Sequence, residues 1–480
     1  MIHGIVSKYK RTSVTFKATV WYTVCMILQK LAAFLLIPFL TRMLSTNEYG
    51  FYTVFLSWLD IIEIFFTLRI YSNGFVAGIV KNSDNQKAYT ASIQVLLLVL
   101  VGIATAVLII LTPVLSKITN INSSFFRLMP FSFIATSGIG VWSAKQRVNN
   151  KYKQMVIVTL LYSVLVPIFT IIAVGLTDSK LSYAINTRII GQFIIALPFV
   201  FLNLVGAKDV KKQYIVEALK YNIPLIPYYL SMILLNNSDR IMIQQLCGQE
   251  QAAIYSVAYS LSATIFIFSG ALNQSLQPWT FQKIKNKITK KETKIITISV
   301  AFIALLALIV LLVAPEVLFL FAPPSYHEAV WTMPPIISSL LVMYIYQQFL
   351  NVHFYVGNNN VVFLSSVLAA TLNIGLNYMV LPVVGYIGAG YTTLISYFVI
   401  GVIYYISMIS ISKKKSIEYK NLFDIPAIFG IMLIFTVLAV MITALYNLPY
   451  VRYGVLSVMI IVAILKRRLL MELARKLLRR

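Results

Sequence analysis

The sequence predicts an all-α integral membrane protein that crosses the bilayer many times. Hydrophobic residues make up 59% of the 480 residues and charged residues 11%, whereas roughly a quarter of the residues in soluble proteins are charged. The apolar residues fall in blocks of about 20, the length of helix that crosses the hydrocarbon core. Runs such as 95–111 and 295–313 lack the alternation of barrel strands. The spans are therefore predicted to be helices, about fourteen in number.

The fourteen spans are numbered along the chain, and each is an apolar block between short polar segments. Spans 1 to 7 are predicted at 18–40, 49–78, 88–112, 125–144, 155–175, 181–204 and 221–245. Spans 8 to 14 are predicted at 252–277, 295–314, 329–353, 361–380, 387–409, 424–446 and 452–466. Span 1 is too long for a cleaved signal peptide and lacks a small-residue cleavage site, so it is expected in the mature protein.

Lys and Arg are concentrated on one side of the predicted membrane, and this sets its orientation. With the N-terminus inside, the inner loop 278–294 alone holds six lysines. The outer loops hold only Arg42, Lys117, Arg127, Lys180 and Arg452. Cytoplasmic loops carry such an excess of cations, so both termini are predicted to be cytoplasmic. Topology and contact with anionic lipid headgroups thus account for the net charge of +25, and no nucleic-acid partner is predicted.

A short internal repeat suggests two halves. The segment YTVFLS at 52–57 opens span 2, and YSVAYS at 255–260 opens span 8 in the same place. An even number of spans between the copies gives two halves of equal orientation, as in several transporter folds. The predicted domains are an N-terminal lobe at 1–210, a C-terminal lobe at 211–412, and spans 13 and 14 with a basic tail at 413–480. The tail segment 466–480 is predicted to be an amphipathic helix on the inner membrane surface.

Seven charged residues fall inside predicted spans and away from the span ends, where a charge needs a partner, a watery cavity or a function. The cations are Lys30, Arg69, Arg188 and Arg240, and the acids are Asp60, Glu63 and Asp239. Lys30 and Asp60 lie at similar depth by residue count, and Asp60 and Glu63 share a helix face. We therefore expect a cluster of Lys30 with Asp60 and Glu63. It is either a purely structural pair or part of a hydrated cavity for an anionic substrate, and Arg69 and Arg240 could instead snorkel.

Polar residues are also unusually frequent in the second half. Span 7 begins with two prolines, at 224 and 227, and ends with the sequence NNSDR at 236–240. Amides recur in spans 8, 10 and 11, at Asn273, Gln274, Gln277, Gln347, Gln348, Asn351, Asn373 and Asn377. Such residues are either hydrogen-bonded contacts between helices or the lining of a polar interior.

No pattern of an enzyme, metal site or cofactor site is present. Cys25 and Cys247 lie in or at the end of apolar spans, and the three histidines lack metal-ligand spacing. Walker A, GxSxG, HExxH and CxxC patterns do not occur. The sequence therefore predicts no catalytic residues, no metal and no cofactor.

Three segments resemble bacterial polysaccharide-unit flippases, the Wzx-type oligosaccharide transporters. The sequence IPFLTRMLS at 37–45, followed by EYGFY at 48–52, resembles the first outer turn of that family. Asp239-Arg240 followed by AIYS at 253–256 resembles the matching turn of the second half, although Ala252-Ala253 departs from the usual acidic-Tyr/Val-Gly pattern. The sequence LPVVGYIGAGYTTLISY at 381–397 resembles the turn between helices 11 and 12. Relatives in the wider multidrug/oligosaccharidyl-lipid/polysaccharide exporter superfamily share these motifs.

The resemblance implies two six-helix lobes around a central cavity in the bacterial cytoplasmic membrane. The implied substrate is an oligosaccharide unit on a polyprenyl diphosphate, moved to the outer leaflet by alternating access for surface polysaccharide synthesis. Cations attract phosphate strongly in a low-dielectric cavity, which gives Lys30, Arg69, Arg188 and Arg240 a role in binding. Asp60, Glu63 and Asp239 would tune these cations or couple transport to an ion; membrane potential or product removal could also drive it. Glycan polymerase and chain-length machinery are implied partners.

Two other functions are compatible with many membrane spans. A drug/cation antiporter of the same superfamily would favour an acidic cavity, whereas the sequence offers four buried cations against three acids. A glycan polymerase would display a large outer loop with catalytic residues, and no predicted loop is that long. The flippase is therefore the preferred prediction.

Overall fold

The computed structural model describes residues 14–205, 209–286 and 293–465, and all regular structure within them is helical. The chain divides into two compact units, Met1–Ile233 and Leu234–Arg480. The helices of the N-terminal unit are α1 (Val14–Met43), α2 (Thr46–Thr67), α3 (Asn73–Lys81), α4 (Gln86–Thr119), α5 (Ser123–Val148), α6 (Tyr152–Gly175), α7 (Lys180–Asn203) and α8 (Lys212–Asn222). Helix α9 (Ile226–Leu246) runs from this unit into the next.

The C-terminal unit contains the remaining helices. They are α10 (Gln249–Ser262), α11 (Thr264–Lys285), α12 (Lys294–Leu312), α13 (Ala314–Phe321), α14 (Met333–Val356), α15 (Asn359–Val384), α16 (Gly388–Lys414), α17 (Tyr419–Leu422), α18 (Ile425–Ala444) and α19 (Pro449–Leu465). Short 3₁₀ helices occur at Ser83–Asn85, Ile223–Leu225 and Pro324–Trp331.

Each of the fourteen predicted spans contains a helix, which confirms the all-α membrane fold. Among the described residues, twelve helical segments are long and apolar enough to cross a membrane. Spans 7 and 14 are not among these twelve, because α9 carries the polar sequence at 236–240 and α19 has 17 residues. The count of fourteen and the positions of the termini thus stay predictions. The predicted tail helix at 466–480 lies outside the described residues.

Two predicted spans are interrupted. Span 2 ends as α2 at Thr67 and resumes as α3 at Asn73, and span 8 is divided at Ala263 between α10 and α11. The predicted inner loop at 278–294 is shorter than expected, because α11 continues to Lys285. The predicted division into lobes at 210 and 412 differs from the division into the two units described above, and it stays a prediction.

Aromatic packing and one glycine join α3, α4 and α8 of the N-terminal unit. Phe75 of α3 packs on Tyr89 of α4, with ring centroids 5.6 Å apart, and Tyr89 packs on Tyr214 of α8 at 5.4 Å. A Cβ on Gly78 would lie 1.8 Å from the hydroxyl oxygen of Tyr89. Only glycine lets α3 approach α4 this closely, as in other membrane helix interfaces.

Helix α14 is the core helix of the C-terminal unit. In the most apolar 18-residue stretch of α14, 78% of the residues are buried. In the corresponding stretch of α18, 22% are buried. Within the same unit α12 packs on both α14 and α18, and α19 is joined to α13 by one buried cation. Arg452 of α19, 3% exposed, donates from Nη1 and Nη2 to the carboxylate of Glu316 at 2.9 and 2.8 Å. Its Nη1 also donates to the carbonyl oxygen of Leu312 at 2.8 Å.

Candidate functional site

The first part of the candidate site forms at the break between α2 and α3. The Thr67 hydroxyl donates to the carbonyl oxygen of Glu63 at 3.0 Å, and its oxygen accepts from the backbone N–H of Arg69 at 3.2 Å. Leu68 and Arg69 adopt left-handed backbone angles, with φ of 48° and 46°. The chain therefore leaves the helix at Thr67 and re-enters one at Asn73.

The break brings three polar side chains together. The Tyr71 hydroxyl donates to Oε1 of Glu63 at 2.7 Å, and Nη2 of Arg69 lies 3.7 Å from Oε2 of the same carboxylate. The side chain of Glu63 is 9% exposed and that of Arg69 is 32% exposed. Within the described part of the chain, the buried Nε of Arg69 has no hydrogen-bond partner. The guanidinium thus has hydrogen-bond donors that the described residues do not use.

A second cation of this unit lies on α7. Nη1 of Arg188 donates to the hydroxyl oxygen of Tyr52 on α2 at 3.2 Å. Asp60 and Tyr162 lie near enough to interact electrostatically with this guanidinium. Its buried Nε also lacks a hydrogen-bond partner among the described residues. We call Asp60, Glu63, Arg69 and Arg188 with these tyrosines the N-terminal charged cluster.

In the described part of the chain, no ion pair joins Lys30 to Asp60 or Glu63, contrary to the prediction from the sequence. Lys30 is exposed on α1, and no ion pair of the described residues includes it. Glu63 is paired instead with Arg69, six positions later. Residues six apart do not face each other on a continuous helix. The left-handed residues at the break turn Arg69 back toward Glu63, and hydropathy gave no sign of this turn.

The second part of the candidate site surrounds Asp239 of α9, which is 2% exposed. One carboxylate oxygen accepts hydrogen bonds from the hydroxyls of Tyr255 at 2.6 Å and Thr393 at 2.7 Å. The other oxygen accepts from Nδ2 of Asn377 at 2.6 Å. Three helices, α10, α15 and α16, supply these donors, so the buried charge is surrounded by neutral hydrogen-bond donors.

A shell of side chains completes this network. Nδ2 of Asn373 donates to the Thr393 hydroxyl oxygen at 3.1 Å, and Ser238 donates to Oδ1 of Asn373 at 3.0 Å. The hydroxyl of Thr392 donates to Oδ1 of Asn377. We call these residues and Asp239 the Asp239 network. Charged buried groups require such complete hydrogen bonding.

Arg240 lies beside this network but has different partners. Its guanidinium carbon lies 4.7 Å from the ring centroid of Tyr259, a cation–π contact. Nη1 donates to Oδ1 of Asn237 at 3.2 Å. In the described structure the buried Nε of Arg240 has no hydrogen-bond partner. Arg240 is thus half-buried with donors to spare.

A third polar group joins α11 and α14. Oδ1 of Asn273 accepts hydrogen bonds from Nδ2 of Asn351 at 2.9 Å and Nε2 of Gln348 at 3.3 Å. Oε1 of Gln348 is buried and has no partner among the described residues. Neighbouring Gln274 on α11 is exposed. This amide group therefore has an accessible edge.

The structure brings together most predicted site residues but in two separate sets. Asp60, Glu63, Arg69 and Arg188 belong to one, Asp239 and Arg240 to the other, and Lys30 to neither. Sequence reasoning missed the tyrosines and threonines that bind these charges. Tyr52 and Tyr255 had a signal, since they begin the two copies of the repeat, and Thr393 lies in the turn motif at 381–397. Within the described residues no group of three His, Cys, Asp or Glu could hold a metal ion.

Comparisons with known proteins agree with this architecture. The model of a family described as polysaccharide biosynthesis protein matches residues 15–284. The Lsg locus putative protein 1 of Haemophilus influenzae is 24% identical over 383 residues, which cover 74% of this chain and 89% of that protein. These matches confirm the predicted relationship to polysaccharide-unit transporters.

Solved structures show the same fold. The lipid II flippase MurJ in an inward closed conformation has a TM-score of 0.69 and 13% identity, covering 95% of this chain and 100% of that one. An inward-facing multidrug resistance MATE family transporter of the MOP superfamily has a TM-score of 0.65 and 14% identity, covering 83% and 99%. The protein is a multi-pass membrane protein with the MOP transporter fold. Because the family model spans more than half of its sequence, this chain belongs to the polysaccharide biosynthesis protein family.

Proposed function

We propose that the protein is a flippase for oligosaccharide units linked to a polyprenyl diphosphate. It moves them from the inner to the outer leaflet by alternating access, for the synthesis of a surface polysaccharide. The observation that carries this proposal is the N-terminal charged cluster, in which Arg69 and Arg188 each keep a buried Nε that has no hydrogen-bond partner among the described residues. A buried cationic donor without a partner is costly, and an anionic ligand would supply the missing acceptor.

The diphosphate suits these two arginines. A guanidinium offers a planar fork of donors that matches phosphate oxygens and stays charged at every physiological pH. The nearby acids Asp60 and Glu63 reduce the net positive charge of the cluster, so that a diphosphate is bound without being held too tightly for release. Lys30, which is exposed on α1 and is in no ion pair of the described residues, would add a further cation.

The C-terminal unit offers groups suited to the uncharged sugars. Amides both donate and accept hydrogen bonds, as sugar hydroxyls require. Asn273, Gln348 and Asn351 supply three such amides, and Gln348 keeps a buried acceptor oxygen. Arg240, packed on the ring of Tyr259, adds a donor beside an aromatic surface.

Asp239 is proposed to tune Arg240 or to couple transport to an ion. Its carboxylate is next to Arg240 in the sequence and is held by three neutral donors. Protonation or an ion would change this network, whereas transport driven by membrane potential or by product removal would not require it to change. Glycan polymerase and chain-length machinery would then receive the flipped unit.

A drug/cation antiporter is the second candidate, favoured by the similarity to MATE transporters, which shows the fold alone. An antiporter for organic cations needs an acid that the drug can reach. Asp239 is 2% exposed and its oxygens are occupied by three donors. Asp60 is exposed, but it lies near the guanidinium of Arg188, which would oppose the binding of a cation. The chemistry of the two arginines therefore favours an anionic substrate.

Deletion of the gene tests the proposed function. Loss of surface polysaccharide with accumulation of single lipid-linked units in the inner leaflet is expected. Arg69→Gln and Arg188→Gln should each fail to restore the polymer, with at least a tenfold loss of flux, because a hydrogen bond to a charged group contributes about 1.5–3 kcal/mol.

The matched control is Arg127→Gln, which removes an exposed arginine of the same unit and should complement fully. Normal polysaccharide together with raised sensitivity to cationic drugs would contradict the flippase and favour the antiporter.

A further inference from the structure

The break between α2 and α3 is held in a conformation that the backbone does not favour. Leu68 and Arg69 are consecutive left-handed residues, and neither is glycine. In this conformation the Cβ atom is crowded by the backbone, so such residues persist only where surrounding contacts fix them. Contacts with surrounding residues are therefore needed to stabilise the break.

Tyr71 supplies the contact that crosses the break. Its hydroxyl donates to Oε1 of Glu63 at 2.7 Å, so it ties the end of the break, just before α3, to the last turns of α2. The backbone ends of the turn are also fixed, since the Ser72 hydroxyl donates to the carbonyl oxygen of Arg69 at 2.7 Å. Both hydrogen bonds close a loop around Arg69.

Glycine on a neighbouring helix makes room for this tyrosine. A Cβ built on Gly140 of α5 would lie 2.7 Å from Cδ2 and 2.9 Å from Cγ of Tyr71. These atoms are at the base of the ring and cannot turn away without moving the side chain. Gly140 therefore permits the position that Tyr71 needs to reach Glu63.

The carboxylate of Glu63 accepts its hydrogen bond from Tyr71 and not from Arg69. The Tyr71 hydroxyl is within hydrogen-bond distance, whereas Nη2 of Arg69 is 3.7 Å from the carboxylate, beyond a normal hydrogen bond. Arg69 is thus oriented by the charge of Glu63 but is not hydrogen-bonded by it. Its donors remain available for a ligand, and its side chain is 32% exposed.

We propose that Tyr71 is a positioning residue for transport: with Glu63, and in the space left by Gly140, it holds the α2–α3 break and so aims Arg69 at the diphosphate of the substrate. This inference rests on the proposed function. It concerns a residue that does not touch the substrate and acts through the orientation of Arg69.

The test measures translocation in proteoliposomes at several substrate concentrations. The substrate is the lipid-linked unit extracted from the deletion strain, and the competitor is polyprenyl diphosphate without sugar. Tyr71→Phe and Gly140→Ala are each expected to raise the half-saturating concentration about tenfold, since each removes a charge-assisted hydrogen bond directly or indirectly. The maximal rate should change less than about twofold. Inhibition by the competitor should weaken by the same factor, because the diphosphate is the part recognised.

Matched controls separate positioning from damage to the fold. Tyr183→Phe removes an exposed hydroxyl on α7, and Gly102→Ala adds a methyl where no atom lies within 4 Å. Both should behave like the parent. The double variant Tyr71→Phe with Glu63→Leu should be no worse than the poorer single variant, because both remove the same contact.

Two results would overturn the inference while the proposed function stands. In the first result, Arg69→Gln raises the half-saturating concentration, whereas Tyr71→Phe and Gly140→Ala leave it equal to that of the parent. The other is a fall in maximal rate at unchanged half-saturation, which is the sign of a merely structural role. Failure of the parent protein to translocate the unit would overturn the proposed function and the inference with it.

Discussion

At the scale of single residues, tyrosine is the side chain that serves the buried charges of both units. Tyr52 accepts a hydrogen bond from Arg188, and Tyr255 donates one to Asp239. These two tyrosines begin the two copies of the sequence repeat. A phenol can donate or accept, so the same position is compatible with a cation in one unit and an anion in the other.

Removal of the Tyr255 hydroxyl should destabilise the C-terminal unit. Tyr255→Phe leaves the buried carboxylate of Asp239 with one donor fewer, and the loss of a hydrogen bond to a charged group costs about 1.5–3 kcal/mol. Thermal unfolding in detergent should show a lower Tm. The control is Tyr391→Phe, which removes an exposed hydroxyl on α16. An equal Tm for both variants would contradict a stabilising role of the Asp239 network.

The site residues show what a sequence can and cannot predict at this scale. Intramembrane charges such as Arg188 and Asp239 were predictable because apolar surroundings make them conspicuous. Their partners were not, because a partner depends on which helices become neighbours. Lys30 and Asp60 have matching depths by residue count, but no ion pair of the described residues includes Lys30, since depth does not fix the direction in which each side chain points.

At the scale of helices, close packing decides where glycine is required. Gly78 of α3 faces Tyr89 of α4, and an added Cβ would lie 1.8 Å from the hydroxyl oxygen. Hydropathy predicted span 2 as one helix from 49 to 78, because Leu68 and Arg69 carry no signal of a left-handed turn. Breaks of this kind are fixed by tertiary contacts rather than by local propensity.

Gly78→Ala should reduce the stability of the N-terminal unit. Overpacking at a close helix contact costs about 1–3 kcal/mol, more than alanine gains in helix propensity. Gly191→Ala on α7, where no atom lies within 4 Å of the added Cβ, should leave the Tm unchanged or slightly raised. A Gly78→Ala variant as stable as the parent would show that α3 can move away from α4 at little cost.

The ion pair of α13 and α19 should give the protein a pH-dependent stability. Burial would raise the pKa of Glu316, but hydrogen bonds from Arg452 and Tyr453 lower it below its usual value of 4.5. A carboxylate with a lowered pKa stabilises the fold above its unfolded pKa, and this contribution disappears as the pH falls through the folded pKa. The Tm of the parent should therefore fall below about pH 4.5.

The variant Glu316→Gln isolates this effect. It should have a lower Tm near neutral pH and a smaller further loss in acid than the parent, as measured by thermal unfolding across pH. Glu250→Gln, which changes an exposed carboxylate, is the matched control. The same acid-induced loss in parent and Glu316→Gln would mean that other carboxylates dominate.

At the scale of the whole molecule, the sequence predicted the fold class well, because twenty-residue apolar blocks and one-sided cations are strong signals. The number of crossings is harder to predict, since α9 mixes apolar and polar residues and α19 is short. Reporter fusions can count the crossings. With fourteen spans and a cytoplasmic N-terminus, fusions at 210 and 416 should report the cytoplasm, and fusions at 121 and 325 the outer side.

A fusion at 466 is the decisive position for span 14. It should report the cytoplasm if α19 crosses the membrane, and the outer side if α19 stays at the outer surface. An outer report at 466 would reduce the count by one and would contradict the predicted cytoplasmic C-terminus.

The ion pair between Arg452 and Glu316 also has a consequence for folding during synthesis, because its two partners are made at different times. The two residues are 136 positions apart, so Glu316 leaves the ribosome long before its partner exists. Until α19 is synthesised, the carboxylate of Glu316 and the carbonyl of Leu312 lack the hydrogen bonds that Arg452 donates. We therefore expect a chain that stops before Arg452 to have a less stable C-terminal unit, because both acceptors lack their buried donor.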